Sequence, residues 1–152
     1  MKKSTFERTV EKAFWGLEAR YAFKKIETKF ENRSVTVRFQ NTTTEILLNY
    51  EIGNTPWLEI AEVHNLANKS TLGWLLVEKG IEKSPLPEQA FHPTTLNESD
   101  LDPILQTMGQ QLLDYGDDLL KGNFAMMPKL QDRARKYALE CDRYLSIRKT
   151  KL

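Results

Sequence analysis

The amino-acid sequence predicts an α+β fold with an N-terminal helix, a central antiparallel sheet of about four strands and two C-terminal helices packed on one face of that sheet. Apolar residues recur at helical spacing in residues 5–19, alternate with polar residues between 23 and 50, and return to helical spacing after residue 99. A chain of 152 residues buries roughly 70% of its unfolded surface, so it can form a core without a disulfide or a structural metal. We therefore expect a single domain over residues 1–152.

The first helix is predicted from about Thr5 to Ala19. Ser4 and Glu7 have the spacing of a capping box, in which each side chain bonds an unpaired backbone N–H of the first turn. Four apolar residues then follow at helical spacing, namely Phe6, Val10, Phe14 and Leu17.

The central region contains three segments of β-branched and aromatic residues that mostly alternate with polar ones. These segments are Phe23/Ile26/Phe30, Val35/Val37/Phe39 and Ile46/Leu48/Tyr50. Short polar spacers at 31–33 and 40–42 indicate antiparallel hairpins, and the alternation predicts one buried and one solvated face. A turn at 53–56 then precedes Trp57–Val63, which we interpret as a fourth strand.

The segments at 72–77 and 83–97 carry weaker signals. Leu72–Val77 is apolar and fits either a buried strand or two helical turns. Residues 83–97 include Pro85, Pro87 and Pro93 among several Ser and Thr, which predicts a loop that can supply mobility or a contact site.

The C-terminal part predicts two helices. Ser99 is the expected N-cap of the first, with acidic residues and Pro103 in its first turn, and its apolar face continues to Leu119 and Leu120 before Gly122 ends it. The last helix opens near Pro128. Its predicted apolar stripe consists of Leu130, Ala134, Tyr137, Ala138, Cys141, Tyr144 and Leu145.

Charge and composition argue against several classes of partner. The net charge is +1, so the basic field of a dedicated nucleic-acid binder is absent as an average, although residues 26–128 carry 7 Lys and Arg against 15 Asp and Glu. The longest apolar run, Trp74–Val77, is too short to cross a bilayer, and the N-terminus lacks the apolar core of a secretion signal. The lone Cys141 allows no intramolecular disulfide. We expect a cytoplasmic protein with neither a nucleic-acid nor a membrane partner.

The motifs of common enzyme chemistry are missing. The two histidines have no partner at metal-ligand spacing, and the sequence contains no phosphate-binding glycine loop and no nucleophile elbow. We therefore expect no catalytic residue, no metal and no cofactor.

Five residues are candidates for partner binding. Asp114, Asp117 and Asp118 form an acidic cluster that suits a basic partner, although a solvated helix face explains the same pattern. Trp57 follows a proline turn, where an indole can lie at the rim of a surface, although core packing is the plainer explanation. His92 lies in the proline-rich loop, where most histidines are simply solvated.

The segment Leu112–Phe124 (LLDYGDDLLKGNF), followed by Met127-Pro128-Lys129-Leu130, resembles a pattern in small bacterial α+β proteins. In that pattern a helix end of Tyr, acidic residue, Leu-Leu and x-Gly-Asp precedes a final helix, and Asn123 stands here in place of the Asp. Some of these proteins look like immunity proteins, which neutralise toxins of neighbouring cells. The resemblance implies a protein-binding function and carries over no binding residues.

The leading hypothesis is therefore a non-catalytic protein-binding module of the bacterial cytoplasm whose partner is another protein, such as a toxin. The alternative is a secretion-chaperone-like or adaptor domain that holds an effector segment at a sheet edge or in an apolar groove. A third class is a small-ligand-binding domain or enzyme with its site at the loop around His92. The sequence leaves the oligomeric state open.

Overall fold

A computed structural model describes residues 2–91 and 95–150 and gives an α+β fold with five strands. The helices and strands, in chain order, are α1 (Lys3–Tyr21), β1 (Lys24–Glu31), β2 (Ser34–Gln40), β3 (Thr44–Glu51), β4 (Trp57–Glu62), β5 (Asn65–Thr71), α2 (Leu72–Glu78), α3 (Leu101–Tyr115), α4 (Asp117–Leu120) and α5 (Met127–Thr150). Short 3-10 turns occupy Pro87–Phe91 and Glu98–Asp100.

The sheet is an antiparallel meander in the order β1-β2-β3-β4-β5. Strands β2, β3 and β4 confirm the alternating pattern, including the interpretation of the segment from Trp57 as a strand. Strand β1 forms as predicted, but its apolar Ile26 is exposed, because the register shifts between Lys25 and Glu27. The fifth strand was not predicted, because the sequence of β5 (NLANKST) has no alternation of large apolar residues. Its pairing with β4, for example Ile60 opposite Ser70, holds it in the sheet.

The open assignment of Leu72–Val77 resolves as the helix α2. Thr71 has an extended backbone, and its hydroxyl accepts a hydrogen bond from the Trp74 N–H at 3.3 Å. This cap ends the strand and starts the helix at the next residue. Leu72, Leu75 and Leu76 are buried.

One face of the sheet carries most of the core. The buried side chains of β2, β3 and β4 on this inner face include Val37, Phe39, Ile46, Leu48, Leu58 and Ile60. Helix α1 packs on this face, since the Phe6 ring stacks on Tyr50 with centroids 6.0 Å apart and Phe14 lies 5.7 Å from Phe39. A single cluster joins these residues to buried side chains of α2, α3, α4 and the start of α5.

Both predicted N-caps are wrong. The Phe6 N–H bonds to the Lys2 carbonyl at 3.0 Å, so α1 starts before Ser4, and neither Ser4 nor Glu7 forms the expected capping box. Ser99 lies inside a 3-10 turn, which makes Asp100 the residue that precedes α3.

The helix predicted to run on to Leu120 is interrupted at Gly116. Glycine is among the least favourable residues in a helix interior, and here it separates α3 from the short α4. Gly122 ends α4 as predicted, with φ of +91° and N–H bonds from Gly122 and Asn123 back to Leu119 and Asp118.

Helix α5 is packed only in its first part. Met127 and Leu130 are buried, whereas the predicted stripe from Ala134 to Leu145 is half-buried or exposed. The reason is that α5 contacts α2, β5 and the turn at 87–91, while its last turns extend past these neighbours. Cys141, expected on the buried stripe, is half-buried. Within the described ranges no helix is long and apolar enough to cross a membrane.

Candidate functional site

The three predicted aspartates lie where α3 ends and α4 begins. Asp114 is exposed on the last turn of α3 and accepts a hydrogen bond from Gln110 Nε2 at 2.8 Å. Asp118 is exposed on α4. These two carboxylates face solvent and are available to a partner.

Asp117 has a structural role that distinguishes it from its two neighbours. The Tyr21 hydroxyl donates to Asp117 Oδ1 at 2.6 Å, and Lys121 Nζ lies 3.0 Å from Oδ2. The hydrogen bond from Tyr21, followed by that from Lys121, lowers the pKa of Asp117. Burial, then the bond to Asp117, raises the pKa of Tyr21. Asp117 therefore ties α4 to the end of α1.

Trp57 lies at the mouth of an open apolar cavity. Its side chain is 43% exposed at the start of β4, beside a cavity of about 520 Å³ between β4, α2 and α3. The cavity is lined at depth by the buried leucines Leu58, Leu72 and Leu76. Ile104 and Met108 of α3 form part of its wall.

The strand register explains why this cavity exists. The pairing of β4 with β5 begins at Glu59 opposite Thr71, and the chain turns into α2 at the next residue. Trp57 and Leu58 therefore extend past the end of β5. The gap between them, α2 and α3 is the cavity.

Among the residues that the structure describes, few polar groups line the cavity, and one of them is ionisable. That residue is Glu82, and α3 contributes the polar residues Thr107 and Gln111. Glu82 and Gln111 make no side-chain hydrogen bond or ion pair with any residue of the described part of the chain.

The cavity wall continues to one of the predicted aspartates. Thr107, Gln111 and Asp114 are spaced by four and three residues on α3, so they share one face of the helix. Asp114 therefore lies on the α3 face that lines the cavity, one turn beyond Gln111. Asp118 follows on α4, after the break at Gly116.

His92, the fifth candidate, lies outside the described residues. The sequence did not predict the cavity itself or the involvement of Glu82. A partial signal was present, because Trp57-Leu58 and Leu72–Leu76 are apolar segments that flank a short strand. Because Leu72–Val77 fits a strand as well as a helix, the sequence does not show that a helix, α2, begins beside the cavity.

Two other polar features are already satisfied within the fold. The buried Glu45 carboxylate, on the outer face of the sheet, accepts hydrogen bonds from Gln40 Nε2 at 2.7 Å and Arg38 Nη1 at 3.2 Å. A smaller hollow of about 280 Å³ near the start of α1 has the Lys3 ammonium 5.0 Å from the centre of the Phe30 ring. The Glu45 carboxylate and the Lys3 ammonium thus each have partners within the fold.

Across residues 2–91 and 95–150, no three acidic, His or Cys side chains come together in an arrangement that could hold a metal ion. Comparisons with known protein families, with curated proteins and with solved structures find no match, so the candidate site is defined by its geometry alone.

Proposed function

We propose that this chain is a non-catalytic protein-binding module whose partner is a basic protein, such as a bacterial toxin that it neutralises. The observation that carries the proposal is an open apolar cavity that the half-exposed Trp57 lines, with the exposed carboxylate of Asp114 on the α3 face that continues from the lining residue Gln111. A half-exposed aromatic residue beside an apolar pocket, bordered by charge, is typical of the centre and rim of a protein interface.

Electrostatics supports a basic partner. Asp114 and Asp118 are exposed, and no Lys or Arg occurs in the part of the cavity lining that the structure describes. Exposed carboxylates steer a positively charged partner toward this face and raise the association rate, mainly at low salt.

We also propose that both C-terminal helices pack on the inner face of the sheet. In support of this packing, α3 and the start of α5 contribute side chains to the same buried cluster as β2 and β3. This arrangement would leave the cavity side of α3 free for the partner.

Strand addition at β1 is less favoured, because this edge strand carries three lysines and an irregular register between Lys25 and Glu27. A secretion-chaperone-like or adaptor domain would instead hold its effector segment in the apolar cavity, and it would be a dimer. Light scattering measures the mass of the protein in solution and would reveal such a dimer.

The experiment is an affinity purification from native lysate, supplemented with the products of adjacent genes and carried out with matched baits. The test bait is Trp57→Ala and the control bait is Trp15→Ala, since Trp15 is exposed on α1, away from the cavity. We expect one stoichiometric basic protein with wild type and with Trp15→Ala, and its loss with Trp57→Ala. Equal recovery by all three baits would place the interface elsewhere and contradict the proposal.

The purified pair then tests the electrostatic part. Replacing Asp114 and Asp118 by Asn should lower the association rate constant by about three- to tenfold at low salt and flatten its salt dependence. The matched control is Glu18→Gln, which removes an exposed carboxylate from α1. An unchanged rate constant in the double variant would remove the acidic cluster from the interface.

A further inference from the structure

We propose that the cavity beside Trp57 is a binding site for a small organic cation, namely an amine carried on an apolar or aromatic body. This inference goes beyond the protein-binding function and does not depend on it. It rests on the size of the cavity, on the composition of its lining and on the negative charge of Glu82 in that lining.

The size and lining suit the apolar body of such a ligand. A cavity of about 520 Å³ falls within the range of known small-molecule sites, and its buried leucines, Leu58, Leu72 and Leu76, form an apolar inner surface. Trp57 and Met108 add a flat aromatic ring and a flexible thioether, which adapt well to an apolar or aromatic group. Burial of an apolar body here would supply most of the affinity.

The charge of the lining selects the polar end of the ligand. Among the described residues that line the cavity, Glu82 is the one ionisable group; its side chain is exposed, and its carboxylate has no partner in the described chain. A bound ammonium group would form a charge-assisted hydrogen bond with it, whereas a bound anion would meet like charge without compensation.

The surroundings reinforce this preference. Asp100 and Asp102, at the start of α3, oppose the positive end of that helix next to the cavity. The nearest cation in sequence, Lys83, does not line this cavity; it lines an adjoining hollow, which Glu82 also borders. The polar groups that complete the lining from α3, Thr107 and Gln111, both offer oxygen acceptors to an ammonium group.

The test compares three probes that share one apolar body and differ in charge. These are 4-phenylbutylamine, the neutral 4-phenyl-1-butanol and the anionic 4-phenylbutyrate at neutral pH. The readout is the set of indole N–H signals in ¹⁵N-correlated NMR spectra, since Trp15, Trp57 and Trp74 supply one signal each and Trp57→Phe assigns the relevant one. Trp15 is the internal control, because it lies on α1.

We expect the amine to shift the Trp57 signal with saturation, the alcohol to bind more weakly, the acid to bind weakest, and the Trp15 signal to stay in place. No saturable shift of the Trp57 signal up to the solubility limit of the amine would overturn the proposal. An affinity for the acid equal to or above that for the amine would overturn it as well.

Two variants locate the effect. Glu82→Gln should reduce the affinity for the amine by about three- to fivefold, to that of the alcohol, and leave the alcohol unaffected. Thr107→Phe, at an exposed lining position, should abolish binding of all three probes by filling the mouth, with its thermal unfolding checking that it is folded. Undiminished amine binding in either variant would overturn the assignment. Protein-partner capture by Trp57→Ala remains a separate measurement, so failure of one proposal is distinguishable from failure of the other.

Discussion

At the scale of single residues, Asn41 shows how one polar side chain joins three parts of the fold. Its Oδ1 accepts the N–H groups of Thr43 and Thr44 at 3.0 and 2.8 Å, which shapes the turn between β2 and β3. Its Nδ2 donates to the carbonyls of Tyr21 and Leu120 at 3.0 and 3.1 Å. Asn41 therefore donates hydrogen bonds to the carbonyls of the last residues of α1 and α4, which have no partner within their own helices.

We expect Asn41→Ala to destabilise the protein by about 2 kcal/mol, because it removes five half-buried hydrogen bonds and leaves two carbonyls without a donor. Urea unfolding monitored by circular dichroism measures this change. The matched control is Asn54→Ala at an exposed turn position, which should stay within about 0.5 kcal/mol of wild type. A similar stability for the two variants would show that Asn41 is not a structural connection.

Residue patterns in the sequence identify turns well and tertiary roles poorly. The spacer at 40–42 predicts a hairpin, and the structure confirms it. The bonds from Asn41 to Tyr21 and Leu120 span 20 and 79 residues, and no local pattern encodes contacts at that separation. The same holds for Asp117, which looks like part of an acidic cluster until Tyr21 is placed beside it.

At the scale of elements, the contact between α1 and α3 depends on small residues. A Cβ atom added at Gly109 would lie 2.1 Å from the Ala13 carbonyl oxygen, and one added at Gly16 would lie 2.4 Å from a methyl group of Leu113. The absence of a side chain at Gly109 lets the backbone of α3 approach that of α1 closely. This approach places the opposite face of α3, with Thr107 and Gln111, against the cavity.

We expect Gly109→Ala to cost about 2–3 kcal/mol, because its clash is with backbone, which yields only if the two helices move apart. The matched control is Gly73→Ala in α2, where the nearest atom to an added Cβ is Thr71 Oγ1 at 3.7 Å, an ordinary contact. That control should leave stability unchanged or raise it by less than about 1 kcal/mol. Thermal unfolding of both variants checks the prediction, and equal melting temperatures would contradict it.

Elements with strong periodicity were predictable, and those held by pairing or by caps were not. Helices α1 and α3 and strands β2 and β3 follow directly from apolar spacing. Strand β5 has no such spacing and exists because β4 offers a free edge. Both N-cap assignments failed because the first hydrogen bonds formed at a different residue from the one whose side chain suggested a cap.

At the scale of the whole molecule, the candidate site arises from elements that are distant in the sequence. The sequence predicts Trp57 and the aspartates at the junction of α3 and α4 as candidate binding residues, because an aromatic residue after a turn and an acidic cluster are local features. The cavity between them requires the register of β4 and β5, the start of α2 and the approach of α3 to α1. A single sequence contains no direct signal of that convergence, which explains why Glu82 was missed.

Two hydrogen bonds to carboxylates join helices that are far apart in the chain, and they predict how the stability of the fold depends on pH. Glu78 of α2 bonds to Arg133 of α5 at 2.6 Å, and this hydrogen bond is the main reason that the pKa of Glu78 is lowered. Asp117 of α4 has a lowered pKa through Tyr21 of α1. In the unfolded chain both carboxyls regain ordinary pKa values of about 4.

Because both pKa values are lower in the folded state, these contacts stabilise the protein fully above about pH 5, and their contribution is lost as the pH falls through the folded-state values. Glu78→Gln/Asp117→Asn should therefore be less stable than wild type at pH 7, with a difference that shrinks steadily below about pH 4. Urea midpoints of both proteins from pH 7 to about pH 3 measure that difference. A difference that stays constant across this range would mean that neither carboxylate contributes through its charge.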